Sequence, residues 1–237
     1  MSGIRKATRK RVKLKAGISG PSGTGKTFSA LRLARGLASD WSKVCVIDSE
    51  GSADKYAGHP TLGDYSVNPL YEKVGADRFA PNAWIGAIKE CVDAGMEVAI
   101  IDSGTHEWKW CLGYLQKIGG RFQEWSKVSP EHENFIRAIQ LCPIHLLICL
   151  RSKTEYIITN ESGRKPTVEK VGLRPETREG FEYELDLMLS LDTKHLARVE
   201  KDRTEIFAGR ADFMLTEAHG QELISWTEGK VASGRRE

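Results

Sequence analysis

No apolar run in the 237 residues approaches the roughly 18 that a membrane-spanning helix needs. The first residues are basic, but no apolar stretch follows them, so a secretory signal is not expected and a cytoplasmic location is. The five cysteines (Cys45, Cys91, Cys111, Cys142, Cys149) form no C-x-x-C pair and no metal-ligand spacing. They read as small core residues in a reducing compartment. Internal repeats and long linkers are also missing, which leaves one domain as the simplest organisation. Acids are missing from residues 1–15, where Arg5, Lys6, Arg9, Lys10, Arg11, Lys13 and Lys15 stand. With a net charge of +3 overall, the remaining chain carries −4. A basic arm on a mildly acidic body suits a polyanion such as nucleic acid, or equally a solvated terminus that aids solubility.

What is present begins with Gly20-Pro21-Ser22-Gly23-Thr24-Gly25-Lys26-Thr27. It matches the phosphate-binding pattern G-x-x-x-x-G-K-[ST] at every fixed position. Glycines let the backbone curl so that its N–H groups face phosphate oxygens. Lys26 reaches the β- and γ-phosphates, and the Thr27 hydroxyl is a Mg²⁺ ligand. The flanks agree. Residues 13–19 read as a short strand, and Thr27 to Ala38 repeats apolar residues from Phe28 onward as a helix does. Phe28, directly after the loop, is counted with the nucleotide pocket.

Strands and helices then alternate, which predicts an α/β domain: a mainly parallel sheet with helices on both faces. Residues 43–48, 97–102 and 144–150 read as buried strands. Residues 81–93, 105–118 and 130–141 read as helices, Pro130 serving as a helix start. Residues 49–82, rich in Gly, Pro, Asp and Tyr, read as mostly loop, long enough to be functional or mobile. A β-hairpin is expected around the turn Asn160-Glu161-Ser162-Gly163, followed by a helical turn within 175–183, strands at 185–191 and 195–200, and a polar tail. The expected division is a basic arm at 1–15, an ATPase core at 16–225 and a tail at 226–237.

Asp102 ends an apolar strand, the placement of a carboxylate that holds Mg²⁺ with Thr27. Hydrolysis also needs a carboxylate to polarise water. Glu50, two residues past another strand, suits this better than Glu107, which is expected on a helix surface or behind the metal. Here the sequence resembles RecA-type recombinases. Cys45-Val46-Ile47-Asp48-Ser49-Glu50 looks like the strand that ends in their catalytic glutamate. Val98-Ala99-Ile100-Ile101-Asp102-Ser103 looks like their metal-binding strand, and Arg151-Ser152 stands where they carry a polar nucleotide sensor. Lys201-Asp202-Arg203 resembles the K-x-R pair that such ATPases insert into a neighbour's nucleotide site. The run Asp102-Ser103-Gly104-Thr105-His106-Glu107-Trp108 is similar to small phage-encoded ATPases built on the RecA core alone, which are single-strand annealing recombinases.

This resemblance covers roughly residues 12 to 210. It implies a RecA-like P-loop NTPase fold with an added β-hairpin, ATP and Mg²⁺ as ligands, and self-association into a filament or ring. It also implies a role for Lys201 and Arg203 across the subunit boundary, and single-stranded DNA as partner, with a single-strand binding protein nearby and the host cytoplasm as location. DNA-contact candidates by position are Arg121, Phe122, Trp125 and Lys127 in one loop, and Lys153, Arg164 and Lys165 in the hairpin region; cations track phosphates and aromatics stack on bases. Helix packing for the first group and a subunit contact for the second are the competing readings. An accessory or loader ATPase and a small-molecule kinase are the rival functions. The K-x-R pair, Glu50 and the lack of an Arg-rich lid speak against the kinase.

Overall fold

The apolar runs become the parallel strands of one sheet because both of its faces are covered. The computed structural model describes residues 4, 6–9, 12–159 and 167–230, with backbone alone at 154–159 and 167–172. In chain order the elements are β1 (Lys15–Gly20), α1 (Lys26–Leu37), β2 (Val44–Asp48), β3 (Ser66–Pro69), α2 (Pro81–Asp93), β4 (Val98–Asp102) and α3 (Thr105–Lys117), then α4 (Trp125–Leu141), β5 (His145–Thr159), β6 (Thr167–Pro175), β7 (Leu187–Leu191), β8 (Leu196–Asp202), β9 (Phe213–Met214) and α5 (Glu217–Thr227). Strands β3-β2-β4-β5-β1-β7 lie side by side and parallel. Strands β8 and β9 extend that sheet antiparallel, and β6 pairs only with the outer part of β5. This is an α/β fold with a mainly parallel sheet between helices, the phosphate-loop sequence directly after β1, and the expected hairpin.

Alternation within each strand feeds two cores. Val44, Val46, Val98, Ile100, Leu147 and Cys149 pack with α1 and α5 on one face. Cys45, Ile47, Ala99, Ile101, Leu146 and Ile148 pack with α2 and α4 on the other. Each fully buried Leu or Ile contributes about 1.5–3 kcal/mol, so the strands are anchored from both sides and their ends are placed rigidly. Helix α5 is held unusually close to α1. A Cβ on Gly36 would lie 2.0 Å from Glu217 O, and one on Gly220 would lie 2.3 Å from Leu33 O, so only glycine permits this approach.

Several elements differ from the sequence expectation, each for a physical reason. Residues 66–69 form an edge strand on β2 although they hold one apolar side chain besides proline; backbone pairing, not pattern, makes the strand. Helix α4 starts at Trp125, five residues before Pro130, because a short 3-10 turn at Phe122–Glu124 leads into it and the proline is accommodated inside. The strand at 144–150 and the first hairpin strand are one 15-residue strand, β5. Helix α5 fills a stretch to which the sequence reading assigns no element, and its last two residues, ending in buried Thr227, fall within the expected tail. Lys15 is not part of a solvated arm. It opens β1, is 5% exposed, and donates through Nζ to Cys142 O at 2.8 Å and Ile144 O at 2.7 Å. Burial lowers its pKa to about 8. Arg9 lies 5.3 Å over the Trp226 ring, whereas Arg5, Lys10 and Arg11 lie outside the described residues. Among the described residues no helix is long and apolar enough to cross a membrane.

At the foot of β5, His145 is buried and its Nδ1 accepts from Leu14 N at 3.0 Å, so the ring is neutral. Burial, reinforced by Lys13 and Lys15, drives its pKa down to about 3. The unfolded chain takes up that proton near the ordinary value of about 6.5, so it binds more protons than the native state below this pH and stability falls as pH falls. Denaturant unfolding of wild type at pH 7 and pH 5 is expected to show a loss of about 2 kcal/mol from this group. His145→Leu is expected to remove that part of the slope; an unchanged slope in the variant refutes the assignment.

Candidate active site

Strand β1 delivers the chain to the phosphate loop at the carboxyl end of the sheet, and α1 starts at Lys26. The loop needs its glycines. Gly23 and Gly25 sit at φ 84° and 78°, and a Cβ on Gly20 would lie 2.9 Å from Leu191 O. The curl is closed by its own side chains: Thr24 Oγ1 donates to Pro21 O at 2.9 Å, and Lys26 Nζ to Gly20 O at 3.0 Å and Pro21 O at 2.8 Å. The first turn of α1 carries no acid and no side-chain cap, which leaves its N–H groups and partial positive charge for an anion.

Thr27 meets Asp102 directly. Thr27 Oγ1 donates to Asp102 Oδ2 at 2.5 Å. Burial raises the Asp102 pKa to about 6, and the charges of Glu50 and Asp48 add to this, against the Thr27 hydrogen bond and Lys26. A carboxylate and a hydroxyl held together beside two further acids, Asp48 and Glu50, form an oxygen donor pair suited to a hard divalent cation.

Glu50 is set by the turn after β2. Asp48 Oδ1 accepts from the N–H groups of Glu50 and Gly51, and Oδ2 from those of Ser52 and Ala53, at 2.8–2.9 Å. The end of β2 is tied to the end of β4 by Ser49. Its N–H donates to Asp102 O at 2.7 Å, and its Oγ accepts from Ser103 N at 2.8 Å and lies 2.8 Å from His106 Nδ1. Glu50 Oε1 receives two donors of Arg151, Nε at 2.9 Å and Nη2 at 2.8 Å.

These groups line a cleft of about 580 Å³ that includes Gly23, Gly25, Lys26, Thr27, Phe28, Glu50 and Asp102. Phe28, Tyr56 and His59 make an aromatic wall, with ring centroids 5.9 Å and 5.0 Å from Phe28. Among the described residues, two buried side-chain polar atoms lack a hydrogen-bond partner, Arg32 Nε and Ser52 Oγ, and both residues line this cleft. Buried polar groups without partners are uncommon. The uncapped loop-helix turn and the Thr27–Asp102 oxygen pair fit a nucleotide with a divalent cation.

Residues 12–219 match a family model described as an AAA domain. The chain belongs to that family. No match was found among curated proteins. Among solved structures the chain is similar to the crystal structure of the RadB recombinase, with 20% sequence identity, coverage of 87% of this chain and 89% of that one, and a TM-score of 0.48.

Within this AAA domain the remaining sequence candidates lie elsewhere. Lys201 and Arg203 sit at the end of β8 that pairs with Leu187 and Met188, the start of β7. The phosphate loop follows the other end of the neighbouring parallel strand, about 15 Å away along the sheet. Lys201 Nζ donates to Glu182 O, Tyr183 O and Leu185 O, and Arg203 Nη2 to Tyr183 O. Phe122 is 89% exposed beside exposed Arg121. Trp125 stacks on Trp108 at 5.8 Å, and Lys127 pairs with Glu124 at 2.8 Å. Lys153 is exposed on β5; Arg164 and Lys165 lie outside the described residues.

Glu107 is not a helix-surface residue. It is 1% exposed, faces His132 Nδ1 at 3.0 Å, and accepts from the Cys111 thiol at 3.2 Å, because α4 packs over this side of α3. Burial and Glu107 together push the Cys111 thiol pKa up. Arg32, Ser52, Tyr56 and His59 were not singled out by sequence. Arg32 alone carried a signal, lying one helical turn after Phe28 on the same face of α1. Removing Glu107 strands His132 in a dry interior, so Glu107→Ala is expected to cost about 3 kcal/mol of unfolding free energy. Denaturant titration of the variant checks this, and a loss below about 1 kcal/mol contradicts it.

Proposed function

We propose that this chain hydrolyses ATP, assembles on single-stranded DNA and promotes annealing or strand exchange, with the nucleotide held at the boundary between subunits. The observation that carries the reading is the convergence of Lys26, Thr27, Asp102 and Glu50 on one cleft. Lys26 and the loop N–H groups neutralise phosphate charge. Thr27 and Asp102 hold Mg²⁺, which when bound supplies further positive charge at the phosphates. Glu50 orients the attacking water and accepts its proton. The Phe28–Tyr56–His59 wall offers flat apolar surface to a base.

The placement of Lys201 and Arg203 supports action in trans. They are a strand length from their own phosphate loop, so any contact with a γ-phosphate must be made on a neighbouring copy. The exposed Arg121–Phe122 corner and the β5–β6 arm with Lys153 are the surfaces assigned to the DNA strand. The phage annealing recombinases, which the run from Asp102 to Trp108 resembles, supply the choice of annealing or strand exchange.

Turnover of ATP with and without a single-stranded oligonucleotide, alongside Lys26→Ala, tests the reading. Stimulation by DNA is expected, with loss of at least about 100-fold in the variant. Turnover indifferent to DNA, together with phosphorylation of a small acceptor, overturns it. Mixing Glu50→Ala with Arg203→Ala protein tests the shared site. Each protein alone is expected to be inactive, and an equal mixture to regain about a quarter of wild-type turnover, since one interface in four pairs two intact halves. No recovery at any ratio rules the shared site out.

A further inference from the structure

Between α3 and α4 lie three donor side chains that the proposed hydrolysis does not use. Among the described residues, Glu107, Cys111 and His132 bring a carboxylate oxygen, a sulfur and a ring nitrogen within 4.8 Å of one another. Glu107 and Cys111 stand four residues apart on one face of α3. His132 comes from α4, which the Trp108–Trp125 stack and buried Val128 hold against α3. Glu107 Oε1 is 3.0 Å from His132 Nδ1 and 3.2 Å from Cys111 Sγ, and no member of the group is more than 3% exposed. None of the three lines the nucleotide cleft. Only one cysteine takes part, so no cysteine spacing announces the group.

Burying these three groups costs more than apolar packing unless their charge and polarity are compensated. A thiol S–H is a weak donor and compensates little. A divalent cation compensates fully: with carboxylate, thiolate and neutral imidazole as ligands, its charge is balanced. On binding, the Cys111 S–H bond breaks, a sulfur–metal bond forms and the proton passes to the buffer, while His132 offers the Nδ1 lone pair with its proton on Nε2. Zinc ligands lie about 2.0–2.3 Å from the ion, which sets tetrahedral ligand atoms about 3.3–3.6 Å apart. The separations from Glu107 Oε1 reach that range with side-chain shifts of about half an ångström. Mixed sulfur, nitrogen and oxygen donors suit zinc, whereas magnesium and calcium take oxygen ligands. Glu107 Oε2, 3.1 Å from His132 Nδ1, or a water fills the fourth position. His132 also lines an open hollow of about 320 Å³ with Ile136, Arg178 and Phe181, which gives an ion a route of entry.

We propose that Glu107, Cys111 and His132 form a structural zinc site that pins α3 to α4 at the base of the corner carrying Arg121 and Phe122. The site stands whether or not the chain acts on DNA. Full-length protein stripped with a chelator is expected to bind about one equivalent of Co²⁺, the spectroscopic probe, with a near-ultraviolet thiolate-to-cobalt band that an equal amount of Zn²⁺ abolishes. Cobalt at the Thr27–Asp102 oxygens gives no thiolate band, which keeps the two sites apart. Cys111→Ser is expected to lose the band. Zinc at about 100 times its Kd is expected to raise the Tm of the stripped wild type by about 5–10 °C.

Absence of a thiolate band in the wild type, or a band of unchanged strength in Cys111→Ser, overturns the proposal. Should Cys111→Ser fail to fold, His132→Gln decides in its place, since its amide still offers Glu107 a donor. Its zinc affinity, read by competition with a chromogenic chelator, is expected to fall by at least about 100-fold, more than the loss of an outer-shell partner causes. Wild-type affinity in this variant, or an equal rise of Tm with zinc in the variant and the wild type, places the ion on other residues and overturns the site.

Discussion

Asp102 closes a strand whose other four residues are completely buried, and its own carboxylate belongs to a residue only 2% exposed. The rest of the site is arranged around that acid. Its main chain takes the Ser49 N–H and so aligns the end of β2; its side chain takes the Thr27 hydroxyl and so aligns the start of α1. Keeping such a group charged in a dry setting needs nearby cations or strong donors. Lys26 supplies one within the chain, and a divalent cation is the natural second. A strand end buried on both faces makes this placement exact without any flexible loop, which is why the sheet rather than the surrounding turns governs the cleft.

Residues whose position follows from pattern were readable in advance. The phosphate loop, Asp102 and Glu50 each follow a run of buried apolar residues, and sequence places them at one edge of a parallel sheet. Residues that acquire their position from partners were not. Asp48 reads as one more strand-end acid, yet it organises the turn that carries Glu50 through four backbone donors. Strand β3 has almost no apolar signal and exists because β2 offers an open edge. Tyr56 and His59 lie in a stretch whose composition only marks it as irregular. Helix α5 has a weakly amphipathic sequence, and what fixes it is the Gly36–Gly220 approach to α1, a contact between residues far apart in the chain.

The run His106-Glu107-Trp108 shows how a motif can serve a site without entering it. His106 braces Ser49 at the ends of β2 and β4, Glu107 bonds His132 inside the α3–α4 packing, and Trp108 stacks on Trp125. Glu107 is buried, His106 and Trp108 are half-buried, and none of the three lines the cleft. Their effect is to clamp α4 to α3, so that the corner carrying Arg121 and Phe122 is presented from a rigid base. Trp125 is engaged in this clamp, which leaves Phe122 as the exposed aromatic of the corner.

The candidate residues fall into two groups by their place along the strands. Glu50, Asp102 and Lys26 converge on one cleft within a single chain, so on the proposed reading the base and the phosphate contacts come from one copy. Lys201 and Arg203, at the far end of the strands, are tied to the carbonyls of residues 182–185 beside the exposed Tyr183. Cations that already satisfy backbone acceptors are held in fixed directions, so on the proposed reading they would meet a second copy as a rigid pair and not as mobile side chains. A rigid pair loses little conformational entropy on docking. On the proposed reading, hydrolysis would then depend on the stacking of whole subunits.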